Sequence, residues 1–367
     1  MTDAESAIQP KMAANPPKTM RAWQFASVSP TLEENLRLNT NAPLPEGSTS
    51  LQADQVLVNV LAASLNPVDY TFPEIPFLGR LISGSPSIPC IDFAGRVVAT
   101  GPNSKRVASE DLQVGQLVYG RLNRPTKFGT LAEYTIAPRA GCLPIPPGVT
   151  VIDAACAASV GLTAYQSIIP KIKGGVGERV FINGGSGGCG TFGIQIAKAA
   201  GCHITTTCSA ANVELCRSLG ADTVIDYKSK DVVTELSKMQ PFDLVVDNVG
   251  MPQNLYWAVP SFTKAGAAYV QVGALAVTPG FILGNLYKTY CPSWLGGGKR
   301  PWEFMHVVSK PDDYAKLGKW MQEKKIHAVV DEIFGMDDQG PVRAFAKLRT
   351  RRTKGKIIVK IADSWEE

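Results

Sequence analysis

At 367 residues and 39.3 kDa, with 45% hydrophobic side chains, the chain is long enough to bury two cores without relying on metals or disulfides. Only 19% of its residues are charged and the formal net charge is +5. The clearest basic run, Arg351 to Lys356, fits a turn before the apolar IIVKI, so no nucleic-acid partner is expected.

The opening residues 1–19 are polar, proline-bearing and unlike a secretory or transit segment, so they read as a flexible tail. From Met20 to about Val160 come short strand-like runs, among them VLVNVLAASL, IDFAGRVVAT, GQLVYG and TLAEYTIAP, separated by Pro, Gly and polar clusters. That rhythm predicts a β-rich, antiparallel, barrel-like domain. Over residues 161–310 it changes to RVFIN, the helical GTFGIQIAKAAG, HITTTC, the helical NVELCRSLG, TVIDY, DLVVDNVG and GAAYVQVG. Alternating strand and helix signals predict α/β structure with a parallel sheet between helical layers. Residues 311–367 combine the helical YAKLGKWMQEKKI, the strand-like HAVVDEIF and a last helix and strand, and are expected to return to the first domain. Pro279 to Trp302 is irregular and ring-rich, which suits a substrate or subunit loop as well as a packed cover.

Eight cysteines lie largely within apolar or helical patterns such as IPCIDF and VELCRSL, which suits reduced core residues and a cytoplasmic, reducing compartment. No uninterrupted apolar run approaches membrane-spanning length, which argues against a spanning helix and leaves peripheral membrane association open.

Within FINGGSGGCG, Gly185, Gly187 and Gly190 form G-x-G-x-x-G, with Ser186, Gly188 and Cys189 between them. The pattern follows a strand and opens a helix, the context of a dinucleotide-binding loop, where absent Cβ atoms and helix-start N–H groups admit a pyrophosphate. An NAD site presents an acid near the end of the second strand, and this chain has Ser209 there. Ser209, Asn212 and Tyr227 can surround a 2′-phosphate without charge repulsion, so NADPH is the expected cofactor. Capping and packing are their alternative roles. The three histidines, His203, His306 and His327, complete no zinc set with the cysteines, so no metal is expected.

Asn66-Pro67-Val68-Asp69, IPCIDFAG, GLTAYQSI, GGSGGCG, SLGADTVIDY and the terminal GKIIVKI together resemble a zinc-independent medium-chain dehydrogenase/reductase of the quinone oxidoreductase group. The motifs are closest to those of chloroplast-envelope quinone oxidoreductase-like proteins and alkenal/enone reductases. The resemblance covers about Arg21 to Ile361 and implies a GroES-like catalytic domain, a Rossmann-type doubly wound domain and a cleft between them. It also implies NADPH-dependent hydride transfer to a hydrophobic conjugated carbonyl, a 2-alkenal or enone, or to a quinone.

By that resemblance Asn66 lies near the nicotinamide or the substrate carbonyl, where its amide or nearby backbone donors are expected to stabilise developing oxygen charge. Tyr70 is a candidate donor or a packing residue, Asp69 would organise the turn, and Asp92 would tie the core rather than act as a base. Thr163 would approach the nicotinamide ribose or amide, and Asn248, Val249, Gly250, Val272 and Gly273 would line the dinucleotide. A trans-acting enoyl reductase of a fungal polyketide pathway shares this architecture, and a non-catalytic NADPH-binding sensor is the alternative outside enzymology. A monomer or homodimer is expected.

Overall fold

The run QVLVNVLAAS becomes strand Gln55–Ser64, buried at nearly every position because layers cover both of its faces. In the computed structural model, which describes residues 16–76, 78–102, 112–174, 176–273 and 279–362, this strand is central to a seven-stranded sheet. Most of the expected tail therefore lies outside the described residues. Asp92–Thr100 pairs antiparallel along one edge of Gln55–Ser64, with two register shifts that bend the pair. Lys356–Lys360 pairs antiparallel with its end, and Tyr134–Pro138 with its start. Leu117–Arg121 and Cys142–Pro144 extend the sheet beyond Asp92–Thr100.

The chain's last segment builds a crossover of its own. Val330–Gly335 runs parallel to Lys356–Lys360, and helix Gly340–Arg349 connects them, with proline in its first turn. That helix buries Ala344, Phe345 and Leu348, a spacing that puts three apolar side chains on one face. Trp23, near the other end of the chain, is 1% exposed and donates from Nε1 to Met336 O at 2.7 Å.

The second sheet has six strands, all parallel, in the order Thr223–Asp226, His203–Cys208, Arg179–Asn183, Phe242–Asp247, Thr263–Gln271, Trp302–Phe304. This is Rossmann-type doubly wound order. Its direction of growth reverses between Arg179–Asn183 and Phe242–Asp247, so the carboxyl ends of those two strands mark where open α/β sheets bind ligands. Phe181, Phe242 and Phe262 pack at tilted and edge-on angles beneath the sheet, with ring centroids 5.9 to 6.4 Å apart.

The chain divides into two compact units, one running to Ser159 and resumed over Val308–Gln322 and from Val330 onward, the other comprising Val160–Val307 and Glu323–Val329. The short piece Glu323–Val329 departs from the expected return to the first domain. Its reason is local: Gln195, on helix Gly188–Ala199, donates to His327 O at 2.9 Å and accepts from His327 N–H at 3.0 Å. Among the described residues one helix, Val151–Lys171, is long and apolar enough to cross a membrane by length and composition. Within its apolar window, 83% is buried inside the protein, as in a core helix.

Candidate functional site

Strand Arg179–Asn183 feeds a loop that turns at Gly184, φ +81°, into helix Gly188–Ala199. Thr207 on the neighbouring strand holds the loop, its hydroxyl accepting from Gly184 N–H and its carbonyl from Gly185 N–H, both at 2.8 Å. The three fingerprint glycines do different work. A Cβ on Gly185 would lie 2.2 Å from Thr206 Oγ1, and one on Gly190 would lie 2.1 Å from Gly184 O, so both serve close packing. A Cβ on Gly187 would meet only Gly184 O at 3.8 Å, so the middle glycine keeps space clear. No side chain caps the helix that begins beside it. Clear space over an uncapped helix start is what a pyrophosphate requires.

At the ends of the next strands, Asp247 is the organiser, which sequence reading missed. Its Oδ1 accepts from Asn183 Nδ2 at 2.8 Å, Val249 N–H at 3.0 Å and Gly250 N–H at 2.9 Å, and its Oδ2 accepts from the Tyr269 hydroxyl at 2.6 Å. Its carbonyl accepts from Val272 N–H and Gly273 N–H at 2.8 and 3.1 Å. Asn183 extends the network by accepting from Thr207 Oγ1 at 2.6 Å. Burial and the neighbouring carboxylate raise the Tyr269 phenol far above its ordinary range, which keeps it a donor. One buried acid thus fixes both loops expected to line a dinucleotide. Between them Asn248 presents an amide whose Nδ2 and Oδ1 are both buried without a partner. Such a pair is costly unless a ligand with its own donor and acceptor completes it, and a carboxamide has both.

At the far side of the loop, Asn212 Nδ2 donates to Ser186 Oγ at 3.2 Å, while Asn212 Oδ1 is buried without a partner. Ser209 follows strand His203–Cys208, and Tyr227, half exposed, donates its N–H to Cys208 O at 3.2 Å. Asp226, one residue before Tyr227, is an acid the sequence reading did not weigh. Hydrogen bonds from Lys228 N–H, the Ser229 hydroxyl and Ala210 N–H hold its carboxyl below the ordinary range. Thr163 lies within helix Val151–Ile168 and is 8% exposed.

In the other unit, Asn66 opens the turn into helix Val68–Thr71, its N–H donating to Asp69 Oδ2 at 2.7 Å. Its side-chain amide is committed at both ends. Nδ2 donates to Asp92 Oδ2 at 2.8 Å and, more weakly, to Ser64 O at 3.4 Å, and Oδ1 accepts from Lys356 Nζ at 2.7 Å. Ser159 donates to the other Asp92 oxygen and accepts from Arg121 Nε at 3.0 Å. Asp69, Asp92, Arg121 and Lys356 are all buried, so two acids and two cations share one enclosed network. Burial pushes the Asp69 carboxyl up to about 8, and its Oδ1 has no hydrogen-bond partner. In this arrangement the Asn66 amide links Asp92 to Lys356. Tyr70 is 4% exposed, with the Arg349 guanidinium 4.3 Å from its ring centroid. Glu33 and Glu74 grip that guanidinium from either side. This favours the packing role for Tyr70.

Residues 52–147 match the alcohol dehydrogenase GroES-like domain and residues 219–359 the zinc-binding dehydrogenase family. Over 356 residues the chain is 71% identical to the trans-enoyl reductase pgmF of Aspergillus terreus, covering 97% of this chain and all of that one. It is 29% identical to 2-methylene-furan-3-one reductase of Solanum lycopersicum, with 94% of this chain and 79% of that one aligned. The solved quinone oxidoreductase of Coxiella burnetii matches 94% of this chain and 100% of its own, at 27% identity and a TM-score of 0.78.

The zinc in one family description does not fit the residues present. Among the described residues no group of three or more His, Cys, Asp or Glu is placed to hold a metal ion. Asp92 is already bound by Asn66 and Ser159, and Asp69 by the Asn66 N–H. A nicotinamide dinucleotide, the family's cofactor, does fit, on the open Gly187 face and the unpaired Asn248 amide. From the two-domain fold, the glycine cradle and the end-to-end similarity, the chain belongs to the medium-chain dehydrogenase/reductase family, in its quinone oxidoreductase group.

Proposed function

We propose that the protein is an NADPH-dependent enoyl reductase acting in trans, which reduces the conjugated C=C bond of an enoyl thioester presented on a carrier. The observation that carries this reading is the 71% identity, over essentially the whole of both chains, to a protein named trans-enoyl reductase. It supersedes the preference for free alkenals, enones or quinones, and keeps their chemistry, because all are conjugated carbonyl acceptors.

When bound, the reduced nicotinamide supplies a hydride to the β-carbon of the acceptor. The chain's own residues bind and orient. Gly187 and the start of helix Gly188–Ala199 would receive the pyrophosphate, and Ser209, Asn212, Ser186 and Tyr227 would hold the ribose phosphate. Asp247 holds Val249, Gly250, Val272 and Gly273 in place, and Asn248 would pair with the cofactor's amide. The electron pair of the C=C bond moves toward the thioester oxygen and the α-carbon then takes a proton from water. Asn66 and Tyr70 act as positioning residues, through Asp92 and Lys356 and through Arg349.

The test follows NADPH consumption, with product identification, on crotonyl thioesters, 2-alkenals, enones and quinones. Saturated acyl thioester formed at higher kcat/KM than any free carbonyl product is expected. Turnover of 2-alkenals or quinones alone would return the assignment to a free-substrate reductase, and NADPH binding with no turnover would favour a sensor. Higher kcat/KM with NADH than with NADPH would reject the phosphate-site role of Ser209, Asn212 and Tyr227.

A further inference from the structure

We propose that the outer face of helix Pro279–Tyr290 and the turn after it form a docking surface for an acidic protein face, that of the carrier presenting the thioester. The proposal rests on the enoyl reductase reading above. Ile282, Leu283, Leu286 and Tyr290 make an exposed stripe along the helix, and Trp294 and Leu295 continue it. Leu283 is 66%, Tyr290 76% and Trp294 80% exposed, more than scattered apolar side chains require.

The stripe stands on a well-held base. On the helix's inner side, Lys288 Nζ sits 5.4 Å from the ring centroids of both Tyr256 and Trp302. The Phe281 ring packs 5.7 Å from Phe304, and the Tyr287 hydroxyl donates to Leu295 O at 3.0 Å, tying the turn to the helix. Among the described residues, one face is packed and the other is left unpartnered.

Charge selects the occupant. Between Asp247 and Glu303 the sequence contains no carboxylate side chain; Lys264 is paired with Asp243 and Lys288 faces the inner rings, which leaves Lys299 and Arg300 as the cations beside the apolar turn. Lys299 is exposed beside the apolar turn, and Arg300 is aimed by donating to the Thr263 hydroxyl at 3.0 Å and to Thr263 O at 3.2 Å. An apolar centre with a cation rim complements an acidic rim on a partner. An anionic bilayer is ordinarily recognised by a larger basic cluster than this one.

The experiment uses the full chain and two substrates: crotonyl thioester loaded on the phosphopantetheinylated carrier domain of a fungal polyketide synthase, and the small crotonyl-N-acetylcysteamine thioester. Leu283→Glu, Trp294→Glu and Lys299→Glu should each lower kcat/KM on the carrier-bound substrate by about tenfold. The small thioester should be unaffected, and Lys299→Arg should keep wild-type behaviour. Equal losses on both substrates would overturn the proposal, as would no loss on the carrier. So would a wild-type dimer that the variants convert to monomer, or binding to phosphatidylserine vesicles that the variants abolish. A wild-type protein that reduces 2-alkenals but neither thioester removes the enoyl reductase reading and this surface with it. Full thioester activity in wild type and variants alike removes the surface alone.

Discussion

Asn66 is held by its neighbours at both ends of its side chain. The residue is 5% exposed, and its amide joins a buried carboxylate, Asp92, to a buried ammonium, Lys356. Removing that link leaves both charges short of a partner in a low-dielectric interior. Asn66→Ala should therefore lower unfolding free energy by about 3 kcal/mol, read from the midpoint of urea denaturation. A variant with wild-type stability and a collapsed kcat would instead support the expected role of substrate donor. The Asn66-Pro67-Val68-Asp69 turn was legible because its members are adjacent, and Asp69 does organise it. Lys356 was not, because it meets Asn66 from 290 residues away and looks in sequence like one more basic residue before a strand.

At the scale of elements, the glycine loop separates residues that fold the protein from those that leave room for a ligand. Gly190→Ala would drive a methyl to 2.1 Å from the Gly184 carbonyl oxygen, where no flexible side chain can give way. The expected result is a lower melting temperature together with weaker cofactor binding. Gly187→Ala meets nothing closer than 3.8 Å in the protein and has an ordinary φ of −84°, so the fold should be unchanged. Its methyl would occupy the space a pyrophosphate approaches, and the NADPH dissociation constant should rise at least about tenfold by fluorescence titration. Equal melting temperatures for the two variants would contradict this division of labour. The loop, its strand and its helix were legible from local spacing. Asp247, which sets the neighbouring loops, was not, since its bonds to Asn183 and Tyr269 exist only once three parallel strands are aligned.

For the whole molecule, the change of rhythm near residue 160 marked the change of unit, because antiparallel pairs and βαβ units impose different apolar periods. The piece Glu323–Val329 was illegible, as its place depends on one glutamine side chain. That the first unit needs both ends of the chain has a measurable consequence. Lys356–Lys360 pairs with the central strand Gln55–Ser64, and Lys356 itself lies against Asn66. A chain ending at Gly355 would expose one edge of that strand and leave the Asp69 and Asp92 network without one of its buried cations. The parallel sheet has no strand from that segment. Limited proteolysis of the truncated chain should therefore cut rapidly between residues 20 and 150 while Arg179 to Phe304 stays protected, with NADPH binding retained. Uniform protection equal to that of the full chain would mean that the first unit folds without its final strand. Uniform digestion would mean that the two units fold as one.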